Sequence, residues 1–384
     1  MKPPAEPRVA IVHEWLVRYA GSEQVVAGMK RAFPQADLYA LVHNREGLCG
    51  TPLEHFAVQT SFIQSLPKSK EKYQSYLPLM PLAVEQIDLR PYDIVLSSSH
   101  AVAKGVLTRA GQLHVSYTHT PIRYAWDLYL DYLTESGMNR GMKGWLARLV
   151  LHYLRLWDST AANRVDVYLA NSSYVAQRIQ KLYRRPSRII YPPVNVERFE
   201  SHLPREEFFV AASRFVPYKR MNLVVEAFNR MGKPLVVIGE GPEFEKVRHI
   251  AGPNVQLLGY QPDKVVADYL QRARAFVFAA DEDFGIAPVE AQAAGCPVIA
   301  YGRGGVLETV VGWPAPEATG VFFDAQTSDA LEEAVRLFEA HEDDFKPETC
   351  RRNVVRFGRE RFQKEFRVTL EELWGRFQRH ETLE

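Results

Sequence analysis

The chain has 384 residues, a length that suits two or three domains, with 46% hydrophobic and 24% charged residues, ordinary values for a globular protein. Its formal charge of +1 leaves no basic excess for a nucleic-acid partner. Cys49, Cys296 and Cys350 lie far apart with no CxxC pair, which argues against a zinc site or a disulfide framework. Residues 1–8 are polar and proline-rich and lead into four apolar residues, too few for a secretory signal. No uninterrupted apolar run approaches the roughly 20 residues of a bilayer span, so a reduced, cytoplasmic protein is expected.

In chain order, short apolar runs at 9–12, 93–97, 114–117 and 165–170 read as buried parallel strands. The rhythm restarts after residue 200 with runs at 208–212, 235–238, 255–258, 275–279 and 297–300. Helical patterns lie between them, among them 222–229, 262–272 and 328–339. Such alternation predicts a doubly wound α/β architecture, and two series predict two Rossmann-like domains. The paired prolines Pro192 and Pro193 mark the boundary, since neither can continue a helix or sit in a central strand. The expected division is 1–192, 193–360, and a charged helical stretch over 361–384 that crosses back to the first domain. Open α/β sheets bind ligands beyond the carboxyl ends of their strands, and two facing edges would form a cleft.

The chemistry concentrates after residue 279. There an apolar strand ends in Asp281, Glu282 and Asp283, followed by Phe284, Gly285 and Ile286 and a helix beginning near Pro288. Proline suits a first helical turn, whose amides have no intrahelical partner and can take phosphate oxygens. Gly285 would allow close approach, Glu290 would accept hydrogen bonds from ribose hydroxyls, and Glu282 from sugar hydroxyls. The same acids would also be favoured at a helix start by the dipole alone.

The spacing of Glu282 and Glu290 around Phe284 and Gly285 resembles the paired-glutamate signature of family 4 retaining glycosyltransferases, which have the GT-B fold. Arg214 and Lys219 resemble that family's Arg-x4-Lys segment, and the resemblance implies that they hold the donor diphosphate. Gly239, Gly259 and the loop Gly302-Arg303-Gly304-Gly305 with Glu308 resemble further donor-side turns. Ala20-Gly21-Ser22-Glu23 resembles the glycine-rich loop after the first strand. The segment from His119 to Asp127 is similar to bacterial polysaccharide mannosyltransferases, and by that similarity His119 is the active-site histidine. The resemblance implies two facing Rossmann-like domains with a donor cleft between them. It also implies retaining transfer of a hexose, with GDP-mannose the expected donor and a glycan or polyprenyl-diphosphate-linked hydroxyl the acceptor. No cofactor or dedicated metal is expected, and Asp281 and Asp283 read as local surface acids.

There is no G-x-G-x-x-G or G-x-x-x-x-G-K-[ST] run to favour a dehydrogenase or a P-loop protein. A nucleotide-sugar epimerase or a non-catalytic nucleotide-sugar-binding protein are the other readings. One stretch stands apart. Residues 143–157 present a wide apolar face with a stripe of Arg148, His152 and Arg155. Burial of that face inside the first domain is the expectation, with an anionic membrane surface as the alternative. Lys68, Lys70 and Lys72, beside the apolar 76–83 stretch, are a second candidate contact at the inner face of the cell membrane.

Overall fold

The computed structural model describes residues 6–135, 137–138, 140–199 and 204–383. The chain divides into two compact units, Met1–Pro193 with Glu360–Glu384, and Val194–Arg359.

The first unit carries seven parallel strands: β1 (Val9–Leu16), β2 (Asp37–His43), β3 (Val58–Thr60), β4 (Ile94–Ser99), β5 (Leu113–Thr118), β6 (Val167–Ala170) and β7 (Arg188–Ile189). Their order is β3-β2-β1-β4-β5-β6-β7. Side chains alternate along β1, so Val9 and Ile11 enter one core and Ala10 and Val12 the other. Burial on both faces explains the continuous apolar run. The final helix, Arg359–Gln378, sends Phe362, Phe366, Leu370 and Leu373 into the first of these cores, all from one helical face. Phe362 lies so close to Gly28, in the Gly21–Ala32 helix, that a Cβ there would sit 2.7 Å from its ring.

The Gly141–Ala161 helix departs from expectation. Leu151 and Leu154 are buried with Ile122, Ala125 and Leu133, and Ala147 and Val150 pack partly against them. Met142, Trp145, Leu146, Leu149, Tyr153 and Leu156 are exposed instead of buried. The helix is apolar on most sides, and only its narrower face meets the protein.

The second unit has six parallel strands: β8 (Phe209–Ala212), β9 (Leu235–Ile238), β10 (Val255–Gly259), β11 (Phe276–Phe278), β12 (Val298–Tyr301) and β13 (Gly320–Phe323). Their order is β10-β9-β8-β11-β12-β13. Helices Met221–Met231 and Ser328–Ala340 cover its core with Leu223, Val224, Phe228, Leu331, Val335 and Phe338. The second of these is N-capped by Thr327, whose hydroxyl accepts from the Ala330 amide. In each sheet the connections run outward in opposite directions from one point, between β1 and β4 and between β8 and β11. At such switch points the loops after neighbouring strands part and leave a crevice.

Candidate active site

In the second unit the switch point lies between the loop after β8 and the loop after β11. The first carries Arg214 and Lys219, the second Asp281 to Gly285. Lys219 forms an ion pair with Glu282, so these two residues, far apart in sequence, meet at the crevice. Arg214 stands on the same loop and is exposed. The loop is braced by the glycine turn after β9: the Phe215 amide donates to the Glu240 carbonyl (2.8 Å), and the Glu243 amide to the Phe215 carbonyl (3.1 Å). Gly239 has a φ of 134°, and a side chain there would collide with the Ser213 carbonyl. Its amide donates to the Gly259 carbonyl at 2.8 Å, joining the turns after β9 and β10.

The loop after β12 is fastened to the one after β11. Gly305 donates its amide to the Glu282 carbonyl at 2.8 Å, and Arg303 pairs with Asp281 at 3.2 Å. Gly304 adopts a φ of 82° against the Glu282 backbone, leaving no room for a Cβ. Asp281 and Asp283 are therefore half-buried residues of a braced turn, not surface acids. The helix that follows is Ile286–Ala293, two residues earlier than the proline suggested, with Gly285 as its N-cap at a φ of 84°. Phe284 turns its ring inward against Phe357, so any ligand contact it makes is through its backbone.

Glu290 lies in this helix beside Arg198, with its carboxylate 2.9 Å from the guanidinium. Burial pushes its pKa up to about 7, and the Arg198 charge only partly opposes this. A carboxyl of that kind changes charge at neutral pH and is poised to accept hydroxyl hydrogen bonds once ionised.

The first unit gathers different groups at its switch point. His13 and Glu14 lie in the last half of β1, buried completely, beside the end of β4. Oε1 of Glu14 accepts from the Ser99 hydroxyl (3.0 Å) and from the amides of His100 (3.0 Å), Ala101 (2.8 Å) and Ala103 (3.0 Å). Its other oxygen lies 3.1 Å from Nδ1 of His100. Burial opposes the charge, yet His100, His13 and the amides outweigh it and hold the Glu14 carboxyl at about 2. His13 donates Nδ1–H to the Ser98 carbonyl at 2.9 Å and turns Nε2 toward Glu23, 3.5 Å away. Burial would drive its proton off, but Glu23 and Glu14 dominate and its pKa is raised. Glu23 also closes the first turn of the Gly21–Ala32 helix, accepting from the Ala20 amide and the Ser22 hydroxyl, both at 3.0 Å. Gly21 opens that turn.

His119 follows β5 directly. Its Nε2 lies 2.8 Å from the Ser98 hydroxyl, which is itself 3.1 Å from Nδ1 of His13. Burial, then the neighbouring His100 and His13, hold its pKa well below the ordinary value, so the ring is neutral. Because His13 is a donor here, the Ser98 hydroxyl is free to donate to Nε2 of His119. This leaves Nδ1 of His119 as the protonated nitrogen. His13, Glu14 and His100 offer three possible metal-ligand atoms within 4.8 Å of one another. Nε2 of His13, Oε2 of Glu14 and Nδ1 of His100 are buried and face charged neighbours at ion-pair distance, Glu23 at 3.5 Å from the first and each other at 3.1 Å for the last two, without hydrogen bonds.

His13, Glu14, Ser98 and His100 were not among the residues singled out by sequence. Their one signal is a polar pair directly continuing an apolar strand. Conversely, much of the His119-to-Asp127 segment is anchorage. Trp126 donates to Asp158 at 2.8 Å, Asp127 pairs with Arg178, and Arg178 donates to the Thr120 hydroxyl at 2.8 Å.

Comparison with known proteins places both units. A model described as Glycosyltransferase Family 4 matches residues 19–198, and one described as Glycosyl transferases group 1 matches residues 195–356. The alpha-1,3/1,6-mannosyltransferase alg2 of Schizosaccharomyces pombe is 23% identical over 301 residues, 63% of this chain and 57% of that one. The GDP-mannose-dependent alpha-(1-6)-phosphatidylinositol monomannoside mannosyltransferase of Mycobacterium tuberculosis is 30% identical over 231 residues, 50% of this chain and 56% of that one. The chain thus spans about half the length of the curated relatives it matches. Among solved structures, HepE of Anabaena in complex with UDP superposes with a TM-score of 0.69 at 14% identity, covering 95% of this chain and 100% of that one. With two parallel α/β sheets of this topology, and family models matched in both units, the chain belongs to the family 4, group 1 glycosyltransferases of the GT-B fold.

Proposed function

We propose that this protein is a retaining, metal-independent mannosyltransferase that moves mannose from GDP-mannose to a hydroxyl of a glycan or a polyprenyl-diphosphate-linked oligosaccharide in bacterial surface polysaccharide synthesis. The observation that carries the reading is the meeting of Lys219 and Glu282 at the second sheet's switch point, with Glu290 in the helix beyond. Mannosyl transfer is favoured by the names of the relatives, and a nucleotide donor by the UDP complex of HepE.

In this reading Arg214, Lys219 and the first amides of the Ile286–Ala293 helix bind the donor diphosphate, and Glu290 binds the ribose. As the anomeric carbon–phosphate oxygen bond breaks, negative charge grows on the leaving diphosphate. Fixed cations and amides there stabilise it without reorganising, usually the largest catalytic contribution. The acceptor oxygen bonds to the anomeric carbon from the same face, and its proton passes to the departing phosphate oxygen. Lys219 leaves Glu282 for phosphate, freeing that carboxylate for sugar hydroxyls. His119 positions sugar and acceptor through its Nδ1–H. The test is a thermal-shift series with GDP, GDP-mannose, UDP-glucose, ADP-glucose and dTDP-glucose, followed by product analysis. A melting point raised chiefly by GDP and GDP-mannose is expected, because a ligand of the native state stabilises it. Stabilisation by UDP-glucose alone would remove the donor assignment, and sugar converted without any acceptor would replace transfer by epimerisation.

A further inference from the structure

The exposed side of the Gly141–Ala161 helix has a shape and charge of its own. Met142 (86% exposed), Trp145 (62%), Leu146 (57%), Leu149 (44%), Tyr153 (45%) and Leu156 (59%) recur at steps of three and four and so lie on one face. At about 1.5 Å per residue the stripe runs roughly 21 Å along the helix. Scattered apolar side chains are ordinary on a surface, but a continuous stripe of this length marks an interaction site.

The helix is held firmly from beneath. Asp158, its single acid, is buried and engaged by Lys104, by the Trp126 indole at 2.8 Å and by the Tyr183 hydroxyl at 3.0 Å. With that acid inside, the charged side chains the helix presents to solvent are all basic: Lys143 and Arg148 are exposed, as is His152. An apolar stripe carrying Trp and Tyr, bordered by cations and free of exposed acids, complements the anionic headgroups and upper acyl chains of a phospholipid surface. No described helix is long and apolar enough to cross a membrane, which suits a helix lying in the interface plane. The same stripe of a second copy would offer only the same cations and no acids.

We propose that this stripe seats the first unit on an anionic phospholipid bilayer. The proposal stands apart from the transfer reaction, and GDP binding measured on the same preparation separates the two. The experiment is sedimentation of the full chain with vesicles of phosphatidylglycerol and phosphatidylcholine, against phosphatidylcholine alone. Binding to the anionic vesicles is expected, weakening as salt is raised. Leu146→Glu with Leu149→Glu should reduce partitioning by more than about tenfold, since each leucine then loses its burial in lipid. Lys143→Gln and Arg148→Gln should each cost about fivefold and remove the preference for anionic vesicles. In the unmodified chain, brominated lipid should quench Trp145, read as the difference from Trp145→Phe. All substituted residues are exposed, so an unchanged melting temperature should accompany each loss. Absence of sedimentation with anionic vesicles, unaltered sedimentation of the leucine variant, or no Trp145 quenching overturns the proposal. So does a dimer, found without vesicle binding, that the leucine variant dissolves, because the stripe then belongs to a second copy.

Discussion

At the carboxyl edge of the first sheet, acids and imidazoles are buried and committed to one another: Glu14 to four donors, His13 between Ser98 and Glu23, His119 to Ser98. At the carboxyl edge of the second sheet, the charged groups are partly exposed, with Arg214 open to solvent and Lys219 paired with Glu282. The first arrangement fixes one neutral imidazole in one orientation. The second keeps charge available for a ligand that brings its own. Fold stability should therefore depend on the first edge and ligand affinity on the second.

The strongest challenge to that contrast is Glu14→Gln. Replacing a buried carboxylate that serves His100, His13 and several amides should cost about 3–5 kcal/mol of stability, read from denaturant unfolding. A loss confined to activity would place Glu14 in the chemistry instead. Since its carboxyl is held down, its contribution is present above the ordinary carboxylate range and disappears as pH falls to about 2. Lys219→Ala should do the reverse, lowering transfer by about 10²–10³ with little change in melting temperature. Unchanged GDP affinity in that variant would sink the phosphate role.

Gly304→Ala tests whether the second edge depends on close backbone approach. The left-handed φ and the Glu282 carbonyl both oppose a Cβ, so a loss of about 1–3 kcal/mol is expected. GDP affinity should fall with it as the Glu282 turn shifts. A smaller effect concerns Glu290. With its pKa near 7, GDP affinity should rise about tenfold from pH 6 to pH 8 as the carboxylate forms, and Glu290→Gln should flatten that profile. The linkage to folding has the opposite sign. A raised carboxyl favours the fold fully below the ordinary carboxylate range and loses that benefit as pH rises through about 7. The smallest change is Ser98→Ala, costing about 0.5–1.5 kcal/mol for its hydrogen bonds. If Ser98 sets the His119 tautomer, kcat should fall while GDP affinity stays constant.

The central strands are legible because burial on both faces writes an uninterrupted apolar run, as in β1, β4, β8 and β9. β3 and β7 are short edge strands with exposed positions, and β13 opens on Gly320, so their runs are weak. β2 carries an apolar run from Leu38 to Val42 as clear as that of β1, yet it is not among the strands expected from sequence. The paired glutamates lie on one turn-and-helix and can be read as a spacing. The union of Lys219 with Glu282 cannot, because it depends on β8 and β11 being neighbours. His13 and Glu14 were hidden for the same reason: their partners come from β4 and from a helix turn. The Gly141–Ala161 helix failed differently. Apolar residues surround most of its circumference, and hydrophobicity alone does not say which side meets Leu133 and Ile122.

The path of the last helix sets an order on synthesis. Phe362, Phe366, Leu370 and Leu373 complete the core of the first unit, yet they leave the ribosome after all of Val194–Arg359. The nascent first unit must wait with one wall of its core missing while the second unit is made and can close on its own apolar centre. Domains generally fold as units during synthesis, with the amino-terminal one first. Here the part that starts first finishes last.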